Sequence, residues 1–139
     1  VSLRFLLDTN ILSEPAKPRP NPGVMERLRR HRDEVATAAP VWHELLYGCE
    51  RLPASARRQT LERYLEEVLA PSLAVLPYDA AAAAWHAAER ARLEALGRTH
   101  PFVDGQIAAV ARTRGLVLIT RNRADYAEFP GLVVEDWAK

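Results

Sequence analysis

Residues 3–14 read Leu3-Arg4-Phe5-Leu6-Leu7-Asp8-Thr9-Asn10-Ile11-Leu12-Ser13-Glu14. The short apolar run Leu3 to Leu7 ends at Asp8 and reads as a strand buried on both faces, the mark of a parallel sheet. Asp8, Thr9 and Asn10 all favour turns and caps, so a short turn or helix is expected around Asn10 to Glu14. Four further runs read the same way: Val35–Ala39, Leu73–Leu76, Leu116–Ile119 and Leu132–Val134. Helical segments separate them. These are Val24–Arg32, Val41–Glu50 opened by Pro40, and one from Pro53 or Ala54 to about Leu69. An Ala-rich helix follows, capped by Asp79 and closed by Gly97. Another begins at Pro101 and ends at Gly115, and a short one covers Asn122–Glu128. The stretch Pro15 to Gly23 holds four prolines and a glycine and predicts a loop. Strands alternating with helices imply one domain, a three-layer α/β/α fold with a central, mostly parallel sheet of about five strands.

At 139 residues with a net charge of +1, size suits one domain and bulk charge selects no partner. The basic residues are lopsided: of 19, only Lys17 and Lys139 are lysines, leaving 17 arginines. Arginine's planar fork suits phosphate, although a simple Arg-for-Lys bias in an Ala-rich chain explains the count equally well. The lone Cys49 permits no internal disulfide and fits a reducing cytoplasm. No signal peptide or membrane span is expected, because no apolar run is long enough.

Chemistry is concentrated in four acids, Asp8, Glu44, Asp104 and Asp125. In open parallel sheets ligands sit beyond the carboxyl ends of strands where strand order reverses. Asp8 follows the first strand and Asp125 the fourth. If those strands are neighbours at the switch point, the two carboxylates converge. Each acid also has a structural explanation: Asp8 as a cap, Glu44 as a solvated helix residue, Asp104 as a first-turn partner of the helix dipole. Asn122 with Asp125 three residues on has the spacing of a capping pair. His31, His43, His86 and His100 are scattered without zinc-ligand spacing. No lysine lies between Lys17 and Lys139, and Thr9 and Asn10 stand where a phospho-acceptor receiver domain or a haloacid-dehalogenase-type phosphatase needs a second acid. There is no P-loop.

The segments LLDTNILSE, WHELLYG, DGQIAAVA and LITRNRADY resemble, in order and separation, the PIN-domain ribonucleases, in particular VapC-type toxins of toxin–antitoxin pairs. The DTN opening and the late T-x-N-x-x-D are the specific parts, and the middle Glu segment is looser. Gly105 departs from the pattern, which commonly has a residue such as Ala there. The resemblance implies Mg²⁺- or Mn²⁺-dependent cleavage of RNA, with Asp8 and Asp104 binding the principal metal. Glu44 and Asp125 would complete the acidic site, with Asn122 an open alternative to Asp125. Asn10, Ser13, Thr120 and Asn122 would support it by hydrogen bonds, and Arg121 and Arg123 would meet the RNA. Arg51, Arg57 and Arg58 form a second basic cluster. A silencing antitoxin and a homodimer are likewise implied, with the helices from Val41 to Leu69 a place for the dimer contact. Rival expectations are a receiver-like signalling domain and a non-catalytic binding module of the same fold.

Overall fold

The computed structural model describes residues 2–139. Its centre is a five-stranded, all-parallel sheet in the order β3-β2-β1-β4-β5. The strands are β1 (Phe5–Leu7), β2 (Val35–Ala38), β3 (Ala74–Leu76), β4 (Val117–Ile119) and β5 (Val134–Glu135). Helices flank the sheet: α1 (Thr9–Leu12), α2 (Pro22–Arg30), α3 (Ala39–Glu50), α4 (Ala56–Arg63), α5 (Ala80–Ala95) and α6 (Phe102–Thr113). This is the three-layer α/β architecture expected. From β1 the chain moves outward through β2 to β3, then returns to the other side of β1 for β4 and β5. The switch point therefore lies between β1 and β4, where Leu6 pairs with Leu118 and Leu7 with Ile119.

Burial explains the central strands. Leu6, Leu7, Ala36, Ala38, Leu118 and Ile119 are fully enclosed, with nothing polar to solvate. Thr37 is the exception in β2, and its hydroxyl donates to Leu7 O at 2.8 Å. Helix α6 is buried continuously from Ile107 to Ala111, so small alanines are needed where it passes between α5 and the sheet.

Several boundaries differ from the sequence expectation. β1 starts at Phe5, because Leu3 and Arg4 are exposed. The proline-rich stretch is not all loop: Glu14–Ala16 is a 3-10 turn, and Pro22 occupies the first turn of α2, where a missing N–H costs nothing. Asn21 caps that helix by accepting from Val24 N. The helix expected from Pro53 or Ala54 begins at Ala56, capped by Ser55, and its last part, Tyr64–Leu69, is a π-helix. That wider turn buries both Leu65 and Leu69 and lets the Tyr64 hydroxyl donate to Leu12 O at 2.6 Å. The segment after β4 is a single 3-10 turn, Arg123–Tyr126, and β5 is displaced to Val134–Glu135. Asp79 and Gly97 cap α5 as expected, Gly97 with φ of 74°. No helix among the described residues is long and apolar enough to cross a membrane.

Candidate active site

Asp8 sits at the carboxyl end of β1, and its backbone N–H donates to Ile119 O at 2.9 Å, which ties it to the end of β4. Its side chain is buried yet well supplied with donors. Oδ1 accepts from Thr9 N at 2.7 Å. Oδ2 accepts from the Thr120 hydroxyl at 2.9 Å and from the Tyr126 hydroxyl at 3.3 Å. Burial pushes the Asp8 carboxyl above its ordinary range, these three donors pull it back, and the Asp125 charge adds to the rise.

Asp104 stands in the first turn of α6, half-buried. Burial raises its carboxyl, and the charges of Asp8 and Asp125 raise it further, while His100 pulls the other way. Tyr126 is held protonated by burial and by the negative charge of Asp8, Asp104 and Asp125. Asp8, Asp104 and Asp125 thus lie near enough to feel one another's charge at the switch-point end of the sheet, and Tyr126 bonds to Asp8 within that field. Asp125 itself is exposed on the 3-10 turn.

Glu44 is placed differently. It lies on α3 with its side chain 42% exposed, and His43 Nδ1 stands 4.0 Å from its carboxylate. It takes no part in the hydrogen-bond network around Asp8 among the described residues. No three of the described His, Cys, Asp and Glu side chains converge closely enough to enclose an ion by themselves. An all-oxygen set of mutually repelling carboxylates still suits a hard cation that keeps most of its waters, as Mg²⁺ does with one or two carboxylates.

The supporting residues fall into two groups. Asn10 Nδ2 donates to Thr120 Oγ1 at 3.3 Å, Asn10 Oδ1 accepts from Arg121 N at 3.1 Å, and Asn122 N donates to Thr120 Oγ1 at 3.1 Å. Thr120 is therefore the hub that joins Asp8 to Asn10 and the segment after β4. Ser13 makes no side-chain hydrogen bond among the described residues and instead lines a groove with Lys17, Arg57 and Tyr64. Asn122 does not cap the turn after it with its side chain, so the capping pair read from the sequence is not formed. Asp125 N bonds instead to Asn122 O at 3.1 Å.

Two residues escaped the sequence reading. Tyr126 adjoins Asp125 in the chain, but only its fully buried position reveals the bond to Asp8. Glu14 is 2% exposed, and its carboxylate collects Asn21 N at 2.7 Å, Lys17 Nζ at 2.9 Å and Arg121 Nη1 at 3.3 Å. Lys17 first, then the Asn21 N–H and Arg121, hold the Glu14 carboxyl below its usual range despite burial. Arg121 is thereby anchored, whereas Arg123 is exposed beside β5. Arg58, one of the second basic cluster, is committed to Glu62 at 2.7 Å and to Leu52 O at 2.7 Å.

A family model for the PIN domain matches residues 5–131. The chain belongs to the PIN domain family. This PIN domain is 36% identical over 137 residues to the "tRNA(fMet)-specific endonuclease VapC" of Shigella flexneri, covering 98% of this chain and 99% of that one. It is 32% identical to "Toxin FitB" of Neisseria gonorrhoeae, over 96% of this chain and 98% of the relative. Among solved structures it resembles DNA-bound VapBC from Salmonella typhimurium, with a TM-score of 0.82 at 32% identity over 97% and 98% of the two chains. The resemblance read from the four sequence segments is therefore that of a VapC-type PIN domain.

Proposed function

We propose that this protein is a Mg²⁺- or Mn²⁺-dependent endoribonuclease acting as the toxin of a toxin–antitoxin pair. The observation that carries this reading is the buried Asp8 at the end of β1, beside the end of β4, with the charges of Asp104 and Asp125 within electrostatic reach and the Asp8 and Asp104 carboxyls pushed up by burial and by neighbouring acids. Such a group is costly unless a cation occupies it. Relatives named as an endonuclease and as a toxin, matched along nearly their full length, support the substrate and the role.

Asp8 and Asp104 would hold the cation, with Asp125 and Glu44 completing the acidic site. When bound, the cation lowers the pKa of a coordinated water and offsets phosphate charge. The chain's own part is orientation. Thr9 N–H and the Thr120 hydroxyl fix the two oxygens of Asp8, so the carboxylate cannot swing. Tyr126 stays protonated and donates. Asn10, clamped between Thr120 and Arg121 N, locks the segment that carries Arg121 and Asp125. Arg121, leaning on Glu14, and the exposed Arg123 beside β5 are the groups that would meet phosphate. The exposed apolar side chains of Leu46, Tyr47 and Val68 on α3 and the π-helix support the homodimer.

The test is expression in a bacterial host, alone and together with any small reading frame adjoining the gene, with new RNA 5′ ends mapped. Growth arrest with discrete cleavage sites, absent for Asp104→Asn and suppressed by the neighbour, is expected. Arrest that persists in Asp104→Asn, or no new RNA ends, contradicts it.

A further inference from the structure

Next to Asp104, where α5 meets the start of α6, lies a cavity of about 120 Å³. Its wall includes Arg90, Arg98, His86, His100, Phe102 and Gly105. Phe102 and Gly105 flank Asp104 in the chain, so the cavity is lined by the helical turn that also carries the acid. The two are electrically linked, since His100 acts on the Asp104 carboxyl.

Three features of this wall are unaccounted for by folding. First, His100 Nε2 is the one buried side-chain polar atom among the described residues without a hydrogen-bond partner. Glu128 Oε1, at 3.9 Å, is beyond hydrogen-bond reach. A buried polar atom left alone costs free energy that a ligand atom can recover. Second, the two arginines are only loosely engaged. Arg98 pairs with Glu128 at 2.9 Å and Arg90 with Glu94 at 3.4 Å, but their side chains are 56% and 58% exposed. Exposed pairs of this kind are weak and exchange for another anion at little cost. Third, Phe102 leaves half its surface in solvent. The Arg90 guanidinium lies 5.3 Å from its ring centroid and the His86 ring 4.9 Å away.

The site is also built rather than accidental. His86 is buried, and its Nδ1 meets the Tyr78 hydroxyl at 2.8 Å. Its ring lies flush against Gly105, where any Cβ would overlap it. The missing Cβ at Gly105 is what leaves room for the His86 ring, which packs 4.9 Å from Phe102.

An exposed aromatic ring flanked by arginines is how proteins take up single-stranded nucleic acid, base on ring and phosphate on cation. We propose that Phe102 and this cavity form a subsite for the RNA strand, one base stacking on Phe102 and the adjoining phosphate meeting Arg98, Arg90 and His100 Nε2. The subsite rests on the ribonuclease reading for its role, because it would hold the strand beside Asp104, but RNA binding can be measured without cleavage.

Binding of a short labelled single-stranded RNA is therefore followed on Asp8→Asn protein with Mg²⁺ present, and KM and kcat on protein with Asp8 intact. Phe102→Ala weakens binding and raises KM by roughly tenfold with kcat within about twofold, and Phe102→Trp restores both. Arg98→Ala reduces the slope of log affinity against log salt by about 0.7, the share of one phosphate contact on a single strand. Inorganic phosphate at millimolar concentration does not displace the RNA. Unchanged binding and KM in both Phe102→Ala and Arg98→Ala overturns the subsite and leaves the nuclease reading standing. Loss of RNA binding in Phe102→Ala with no cleavage by the unmutated protein does the reverse. Displacement by inorganic phosphate alone marks a general anion pocket and also overturns the proposal.

Discussion

The Thr120 hydroxyl at the end of β4 donates to Asp8 Oδ2 at the end of β1, at 2.9 Å and across 112 residues of chain. Beyond the backbone ladder between β1 and β4, this bond ties their ends together and aims the most buried carboxylate of the site. Thr120 also accepts from Asn10 Nδ2 and Asn122 N, so its oxygen organises three segments at once.

Replacing Thr120 by Val keeps the volume and deletes the hub. Asp8 loses its strongest side-chain donor, and RNA cleavage is expected to fall about 10- to 100-fold, with a higher requirement for divalent cation. Thr120→Ser keeps the hydroxyl and should stay within a few-fold of the unmutated rate. Single-turnover cleavage across a Mg²⁺ titration distinguishes the two variants.

The raised carboxyls make stability depend on pH in a defined direction. Asp8 and Asp104 bind protons more readily folded than unfolded, so their linkage favours folding at low pH and is lost as pH rises through the folded values. Glu14, Glu26 and Glu34 are shifted down and act oppositely, contributing stability that is lost as pH falls below the ordinary carboxylate range. Without divalent cation, the share of stability set by Asp8 and Asp104 should decline as pH rises from the carboxylate range toward neutrality. Asp104→Asn removes part of that decline and should raise Tm at neutral pH. Mg²⁺ at neutral pH should stabilise the unmutated protein and not the variant. Thermal melts with and without EDTA across pH check all of these outcomes.

Glu14 is the buried anchor that Lys17, Arg121 and Asn21 N share. Glu14→Gln weakens three charge-assisted contacts and should cost about 1–2 kcal/mol. Lys17 and Arg121 remain partly solvated and lose little themselves. Urea unfolding at neutral pH measures the loss, which should shrink at acidic pH, where protonation of Glu14 already weakens the same contacts in the unmutated protein.

Gly105→Ala sets helix propensity against packing. Alanine gains up to about 1 kcal/mol inside a helix, but its Cβ would overlap the buried His86 ring, and overpacking of this kind costs about 1–3 kcal/mol. The net expectation is destabilisation. His86→Ala removes the obstacle, so the double variant should be more stable than the sum of the two single losses predicts, as a double-mutant cycle would record.

The order of strands and helices was legible because buried parallel strands are short apolar runs and helix ends carry caps such as Asp79 and Gly97. That Asp8 and Asp125 follow strands able to flank a switch point was readable from the chain, and β1 and β4 are indeed neighbours. What the chain order hides is depth. Glu14 looks like any charged residue before a proline, and only the packing of the 3-10 turn onto Arg121 buries it. Tyr126 lies a residue past an acid in a surface turn, yet the turn's tight 3-10 geometry swings its ring inward onto Asp8. Helix periodicity cannot foretell the π-turn at Tyr64–Leu69, because it registers no difference between fourth- and fifth-residue bonding until tertiary contacts such as Tyr64 with Leu12 choose. Glu44 depends on the family pattern, and its half-exposed place on α3 shows why its own surroundings were silent.

Cleavage of RNA by the purified protein, compared with Asp8→Asn under the same conditions, bears most directly on the acid cluster. Cleavage is expected with Mg²⁺ or Mn²⁺, abolished by EDTA, and reduced at least about 1,000-fold in Asp8→Asn while the fold and RNA binding persist. Asp8→Asn protein that still cleaves RNA at a comparable rate with Mn²⁺ would contradict a metallonuclease centred on Asp8.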